Sequence, residues 1–232
     1  MTYRAVFFDA GETLVHPAPT FPDLFASIVA REGHVCTPDD VIVASAVVMD
    51  RFSEAARNEE LWTTSPERSR TFWLEVYERM LAALGLPDGD GLRDILYGEF
   101  TDLRNYALFD DVPRALGDLS AAGLGLGIVS NFEAWLDDLL LALGVRDSFP
   151  VRVISGVEGI EKPDPRIYEL AMARAGVGPE ESVYVGDNPE FDVDPPAALG
   201  MFTVLIDRRS RHEEHGGVRI TDLADLAEVL GL

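Results

Sequence analysis

Ala5-Val6-Phe7-Phe8-Asp9-Ala10-Gly11 is the stretch on which the fold turns: an unbroken apolar run, then a carboxylate, then a glycine two residues on. Such a run suits a short strand buried on both faces, as in a parallel sheet covered by helices. Beyond it the strand pattern stops. From Phe21 to Tyr106 apolar residues recur at helical spacing, which predicts helices over 21–32, 39–57 after Pro38, 66–84 and 92–103. From Phe109 onward helix and strand alternate. Helices are expected over 112–122, 132–143 and 165–175, with strands over 126–130, 151–155, 182–186 and 202–206. A last helix over 222–230 has Thr221 as its N-cap. Strands joined through single helices imply right-handed crossovers. The expectation is an α/β fold: a Rossmann-like doubly wound parallel sheet from residues 1–14 and 109–232, carrying an inserted all-α helical cap at 15–108.

Composition narrows the function. The chain has 232 residues, 47% hydrophobic and 26% charged, enough to bury a sizeable core. Lys plus Arg number 19 against 41 Asp plus Glu, a formal charge of -22 that repels nucleic acid and anionic membranes. The single cysteine, Cys36, has no internal partner for a disulfide, and no basic stretch with an apolar core opens the chain, so a cytoplasmic protein is expected. No apolar run reaches the length of a membrane span. The partners expected from this charge are small or cationic, and the expected state is a monomer or homodimer. Lys162 is the only lysine. Chemistry that needs a side-chain amine must therefore use it.

Ligands of open α/β sheets bind beyond the carboxyl ends of the strands, so the residues that end each apolar run carry the chemistry. These are Asp9, Ser130 with Asn131, Ser155 and Asp187, joined by Lys162 from the loop after the third strand. Asp9 and Asp187 can hold a hard divalent cation such as Mg²⁺, with Asp192 holding its waters. The cation, Lys162 and the Ser130 hydroxyl would neutralise a transferring phosphoryl group from several sides. An Asp beside the metal can attack phosphorus and form an aspartyl-phosphate, which makes Asp9 the candidate nucleophile.

With these residues in place the chain resembles the haloacid dehalogenase superfamily, of the kind with a helical cap. The resemblance covers nearly the whole chain and rests on four segments in order: Phe8-Asp9-Ala10-Gly11-Glu12-Thr13-Leu14, Val129-Ser130-Asn131, Glu161-Lys162-Pro163-Asp164 and Gly186-Asp187-Asn188-Pro189-Glu190-Phe191-Asp192. It implies a Mg²⁺-dependent hydrolase in which Asp9, Ser130 and Lys162 are catalytic. The metal would be held by Asp9, the Gly11 carbonyl, Asp187 and Asp192. Substrate would meet Ser130, Asn131, Lys162 and Gly11, with Trp62 of the cap as a further pocket candidate. One departure matters. Phosphatases of this family carry a second Asp two residues after the nucleophile as general acid and base, and here that position is Gly11. Glu12 is adjacent, but successive residues of an extended segment point opposite ways. Two other readings stand beside the phosphohydrolase: a phosphate-binding protein of the same fold with little or no turnover, and a 2-haloacid dehalogenase, whose branch also lacks the second Asp. The retained Asp187 and Asp192 weigh against the dehalogenase, and the absence of lysine from the cap excludes a phosphonatase that uses a cap lysine.

Other motifs have plainer readings. Gly123, Gly125 and Gly127 precede a strand, whereas a dinucleotide loop follows one, so NAD binding is rejected. His212 and His215 lie in a charged, solvated loop. Phe72, Trp73, Tyr77 and Met80 recur at helical spacing and read as core.

Overall fold

The computed structural model describes residues 3–58, 60–87 and 91–232. The chain divides into two compact units, one built from the N-terminal stretch to Val15 together with Leu108–Leu232, the other His16–Ala107.

The first unit is a parallel sheet. Its strands, with the two short ones at the unit boundary, are β1 (Ala5–Phe8), β2 (Val15–Pro17), β3 (Tyr106–Leu108), β4 (Gly125–Ser130), β5 (Val151–Ile154), β6 (Ser182–Gly186), β7 (Phe202–Ile206) and β8 (Val218–Ile220). β2 pairs with β3, and the remaining six form one sheet in the order β5-β4-β1-β6-β7-β8, every neighbouring pair parallel. The chain thus starts in the middle of the sheet, winds to one edge, returns, and winds to the other. That is the Rossmann-like doubly wound order, and its reversal falls between β1 and β6, the place where such sheets bind ligands.

β1 is buried along its whole length because both faces are covered. Ala5 and Phe7 pack with Ile167, Tyr168 and Ala171. Alternation turns Phe8 to the opposite face, where it meets Phe149 edge-on. Gly127 faces Phe7 across this layer. A Cβ there would lie 2.7 Å from the Phe7 ring, so this glycine serves the close packing of the two strands.

The second unit holds helices α1 (Phe21–Arg31), α2 (Pro38–Ala44), α3 (Ala46–Arg57), α4 (Pro66–Ala83) and α5 (Leu92–Phe100). Its helices start on caps that the sequence carries: Thr20, Thr37 and Ser65 accept backbone N–H bonds in front of α1, α2 and α4, each with proline in the first turn. Phe25, Ile28, Phe72, Val76, Met80 and Leu96 form its core. The helices that flank the sheet are α6 (Val112–Ala121), α7 (Leu136–Ala142), α8 (Ser155–Glu158), α9 (Pro165–Ala175), α10 (Asp194–Ala198) and α11 (Leu226–Val229). No helix among the described residues is long and apolar enough to cross a membrane.

Four local expectations are corrected. The helix expected over 39–57 is two, parted at Ser45. The helix expected from 132 begins at Leu136. The last helix starts not on Thr221 but on Asp222, which accepts from the Ala224 N–H at 2.8 Å and opens a 3₁₀ turn before α11. Finally, the insertion expected to be all-α at 15–108 also carries β2 and β3, which, like β8, are three residues long and too short to leave a periodic signal.

Candidate active site

Three of the functional side chains stand where strands end. Asp9 follows β1, and its N–H donates to the Val185 carbonyl at 2.9 Å, which carries the ladder one residue past the strand and fixes the carboxylate at its mouth. Ser130 closes β4 next door. Across the reversal point Asp187 follows β6, and the chain enters a π-helical turn, Pro189–Val193, that brings Asp192 back under it. Gly186 makes this return possible, since a Cβ there would sit 2.3 Å from Asp192 Cγ.

Lys162 joins the two halves. Its Nζ donates to Asp9 Oδ1 at 2.7 Å and to Asp192 Oδ1 at 2.6 Å, with the lysine only 3% exposed. Ser130 Oγ also donates to Asp9 Oδ1, at 2.9 Å. Asp9 is therefore held through one oxygen, and Oδ2 takes no hydrogen bond from the described residues. Asp192 is engaged at both oxygens, since the Asn188 N–H donates to Oδ2 at 3.0 Å. Below lies the Tyr184 ring, 5.8 Å from the ammonium, its hydroxyl donating to the Val129 carbonyl.

Asp9, Asp187 and Asp192 each bring a carboxylate oxygen within 4.8 Å of the others. Three acids thus face one ammonium. Burial alone would push the Lys162 ammonium toward neutrality, but Asp192 and Asp9 outweigh it and hold the charge well above the ordinary lysine range. Burial, then the repulsion of Asp192, Asp9 and Glu12, drives the Asp187 carboxyl well above the carboxylate range. Asp192 is pushed up to about 6 by burial and Asp9, against the pull of Lys162. An oxygen-only donor set carrying excess negative charge fits a hard divalent cation.

Two consequences are measurable. Lys162→Met strands two buried carboxylates and is expected to cost about 3–5 kcal/mol in urea unfolding, with part returned by adding Asp192→Asn. Acids whose folded pKa is raised bind protons more tightly folded than unfolded, so stability falls as pH rises across the interval. For Asp192 that interval runs from 3.8 to about 6. In EDTA the contribution of this cluster should fall over the window, so that Asp187→Asn, which removes a like charge, gains stability relative to wild type as pH rises and is the more stable of the two at pH 7.

The structure brings Asp9, Ser130, Lys162, Asp187 and Asp192 together. It redirects three other candidates. Asn131 spends both ends of its amide on the Lys162 backbone, Nδ2 donating to the carbonyl at 2.8 Å and Oδ1 accepting from the N–H at 2.6 Å, so its side chain positions the lysine loop. Ser155 is fully buried and latched to the Phe132 N–H and carbonyl. Trp62 stacks on Phe72 at 4.4 Å and is 7% exposed, in the core of the helical unit. Gly11 forms an isolated bridge with Val15, and a Cβ added there would meet only Phe132 Cε2, at 4.0 Å. Glu12 is not in extended backbone: its φ is 55°, and its carboxylate accepts from Arg209 at 2.7 Å. Sequence reasoning missed the supporting roles of Asn188 and Gly186, although both flank Asp187 in the motif.

At the reversal point of this α/β sheet three acids surround one buried ammonium. Residues 3–200 match the model of the haloacid dehalogenase-like hydrolase family, and the chain belongs to that family. It is 28% identical over 206 residues, 88% of this chain and 81% of the relative, to the mouse (Mus musculus) haloacid dehalogenase-like hydrolase domain-containing protein 3. It is 33% identical over 165 residues, 71% of this chain and 64% of the relative, to a phosphoserine phosphatase of Thermus thermophilus. In structure it is similar to the HAD-hydrolase YfnB of Bacillus subtilis bound to magnesium, with a TM-score of 0.79 at 17% identity over the whole of both chains. The protein is thus a hydrolase of this family.

Proposed function

We propose that the chain is a Mg²⁺-dependent phosphohydrolase that acts on a small phosphorylated metabolite through an aspartyl-phosphate on Asp9. The observation that carries this reading is the double grip of Ser130 and Lys162 on Asp9 Oδ1, which leaves Oδ2 available beside a three-carboxylate cluster. Relatives named as phosphatases, the Thermus enzyme and a glyceraldehyde 3-phosphate phosphatase of Methanopyrus kandleri among them, support it.

Asp9 and Asp187, with Asp192 and the Gly11 carbonyl in support, would hold Mg²⁺, which when bound supplies a Lewis acid for the phosphoryl oxygens. Asp9 Oδ2 attacks phosphorus, and the bond from phosphorus to the leaving oxygen breaks with its electron pair. Ser130 and Lys162 face the charge that gathers on the phosphoryl oxygens. Water then attacks phosphorus and the bond from phosphorus to Asp9 Oδ2 breaks, which frees phosphate and restores the Asp9 carboxylate; the proton that the water gives up passes through solvent to the departed leaving group. Asn131 keeps Lys162 in register throughout. Gly11 offers the leaving oxygen no proton, so substrates whose leaving group departs as a stable anion should be favoured.

The test is steady-state hydrolysis of p-nitrophenyl phosphate and acetyl phosphate with Mg²⁺ and with EDTA, next to halide release from 2-chloropropionate. Turnover of the phosphates that EDTA abolishes, without halide release, supports the proposal. Phosphate binding without turnover would replace it with the binding-protein reading that Gly11 favours, and halide release with the dehalogenase.

A further inference from the structure

The loop that carries the nucleophile is held from outside by consecutive arginines. Residues 9–15 turn back on themselves through Leu14 N–H and Val15 N–H, both donating to the Ala10 carbonyl at 2.8 and 2.9 Å, and through Glu12 N–H donating to the Val15 carbonyl at 2.8 Å. Within this turn Glu12 adopts φ 55°, the left-handed region that favours glycine and strains other residues. Nothing in the turn's own hydrogen bonds accounts for a glutamate there. The compensation comes from the loop after β7. Arg208 donates to the Thr13 carbonyl at 2.8 Å and grips Asp111, while Arg209 donates to Glu12 Oε2 at 2.7 Å. The arginine loop is itself set by buried Asp207, which accepts from the N–H groups of Arg211 and His212 at 2.8 and 2.9 Å and from Arg219 of β8 at 3.0 Å.

We propose that Arg209 is a positioning residue for the reaction: by pinning the Glu12 carboxylate it holds residue 12 in its left-handed conformation and so keeps Asp9 and Gly11 in working geometry. Arg208 anchors the next residue and supplies the second point of the clamp. The inference rests on the proposed phosphohydrolase for its kinetic arm alone. If Arg209 is removed, residue 12 is free to relax to negative φ, which drags the backbone on either side of Gly11. A glycine at position 12 has no such strain and needs no clamp.

The experiment compares wild type, Arg209→Ala, Arg209→Lys and the double variant Arg209→Ala/Glu12→Gly, by hydrogen exchange over residues 9–15 of the metal-free protein and by kcat and KM on p-nitrophenyl phosphate with Mg²⁺. Arg209→Ala should speed exchange in that segment and lower kcat on the order of ten- to a hundredfold, with KM little changed. Arg209→Lys should restore much of both, because one charged donor suffices for the single bond to Glu12. The double variant should restore both without any cation at 209, which a merely structural arginine would not allow. Unchanged exchange and kcat in Arg209→Ala, or a double variant no better than the single one, would overturn the clamp. A wild type without turnover would sink the phosphohydrolase instead, and the exchange arm would still decide the clamp.

Discussion

Asp9→Asn should abolish turnover of p-nitrophenyl phosphate, with kcat falling on the order of 10⁴-fold or more, while the protein stays folded. An amide cannot supply the oxygen nucleophile, and no step in the proposed reaction proceeds without it. The fold should survive because Lys162 keeps its second partner, Asp192, at 2.6 Å, and because Asn retains a carbonyl oxygen to accept from Ser130 and Lys162. This separates Asp9 from Lys162, whose replacement is expected to cost stability as well as activity. Circular dichroism and urea unfolding beside the kinetics distinguish the two. Turnover in Asp9→Asn close to wild type would remove Asp9 as nucleophile.

Gly11→Asp should raise turnover of alkyl phosphates by about 10² to 10⁴-fold, the usual worth of general acid–base help, and that of p-nitrophenyl phosphate far less. The structure has room for the substitution. Gly11 is not among the glycines with positive φ, and a Cβ there has nothing nearer than the edge of Phe132 at 4.0 Å. Glu12 does not fill the role in wild type, because its carboxylate is held by Arg209. The difference between leaving groups is the readout: a proton donor helps an alkoxide leave and does little for a phenolate that is stable as an anion. Equal gains on both substrates would mean that the new carboxylate acts on something other than leaving-group protonation.

The core sheet was legible because its five main strands are short, mostly apolar runs, interrupted only by Arg152 in β5 and Thr203 in β7, each followed or closed by a polar residue. The same logic found Asp9, Ser130 and Asp187, which are strand ends by sequence. Asp192 and Lys162 could be placed only by their motifs, since a π-helical turn and a loop have no period. The direct grip of Lys162 on Asp192 was not legible at all. It depends on Gly186 leaving space for the returning side chain, a three-dimensional fact with only a glycine as its trace. Glu12 was misread for a related reason. The alternation rule assumes extended backbone, and a single left-handed residue breaks it. Asn131 and Ser155 looked like ligand residues because polar side chains end those strands, whereas their hydrogen bonds go to the backbone of neighbouring loops. Trp62 fell to the core because its indole stacks with the other rings of the helical unit, a packing that spacing alone did not assign to it.

A phosphoryl group that passes through Asp9 can be caught there. Wild type mixed with excess p-nitrophenyl phosphate and Mg²⁺, quenched in acid within a turnover and digested, should yield the peptide that contains Asp9 carrying one phosphoryl group, and Asp9→Asn or EDTA should abolish the adduct. Mg²⁺-dependent turnover with no phosphoryl group on that peptide, or with it on another residue, would contradict the account.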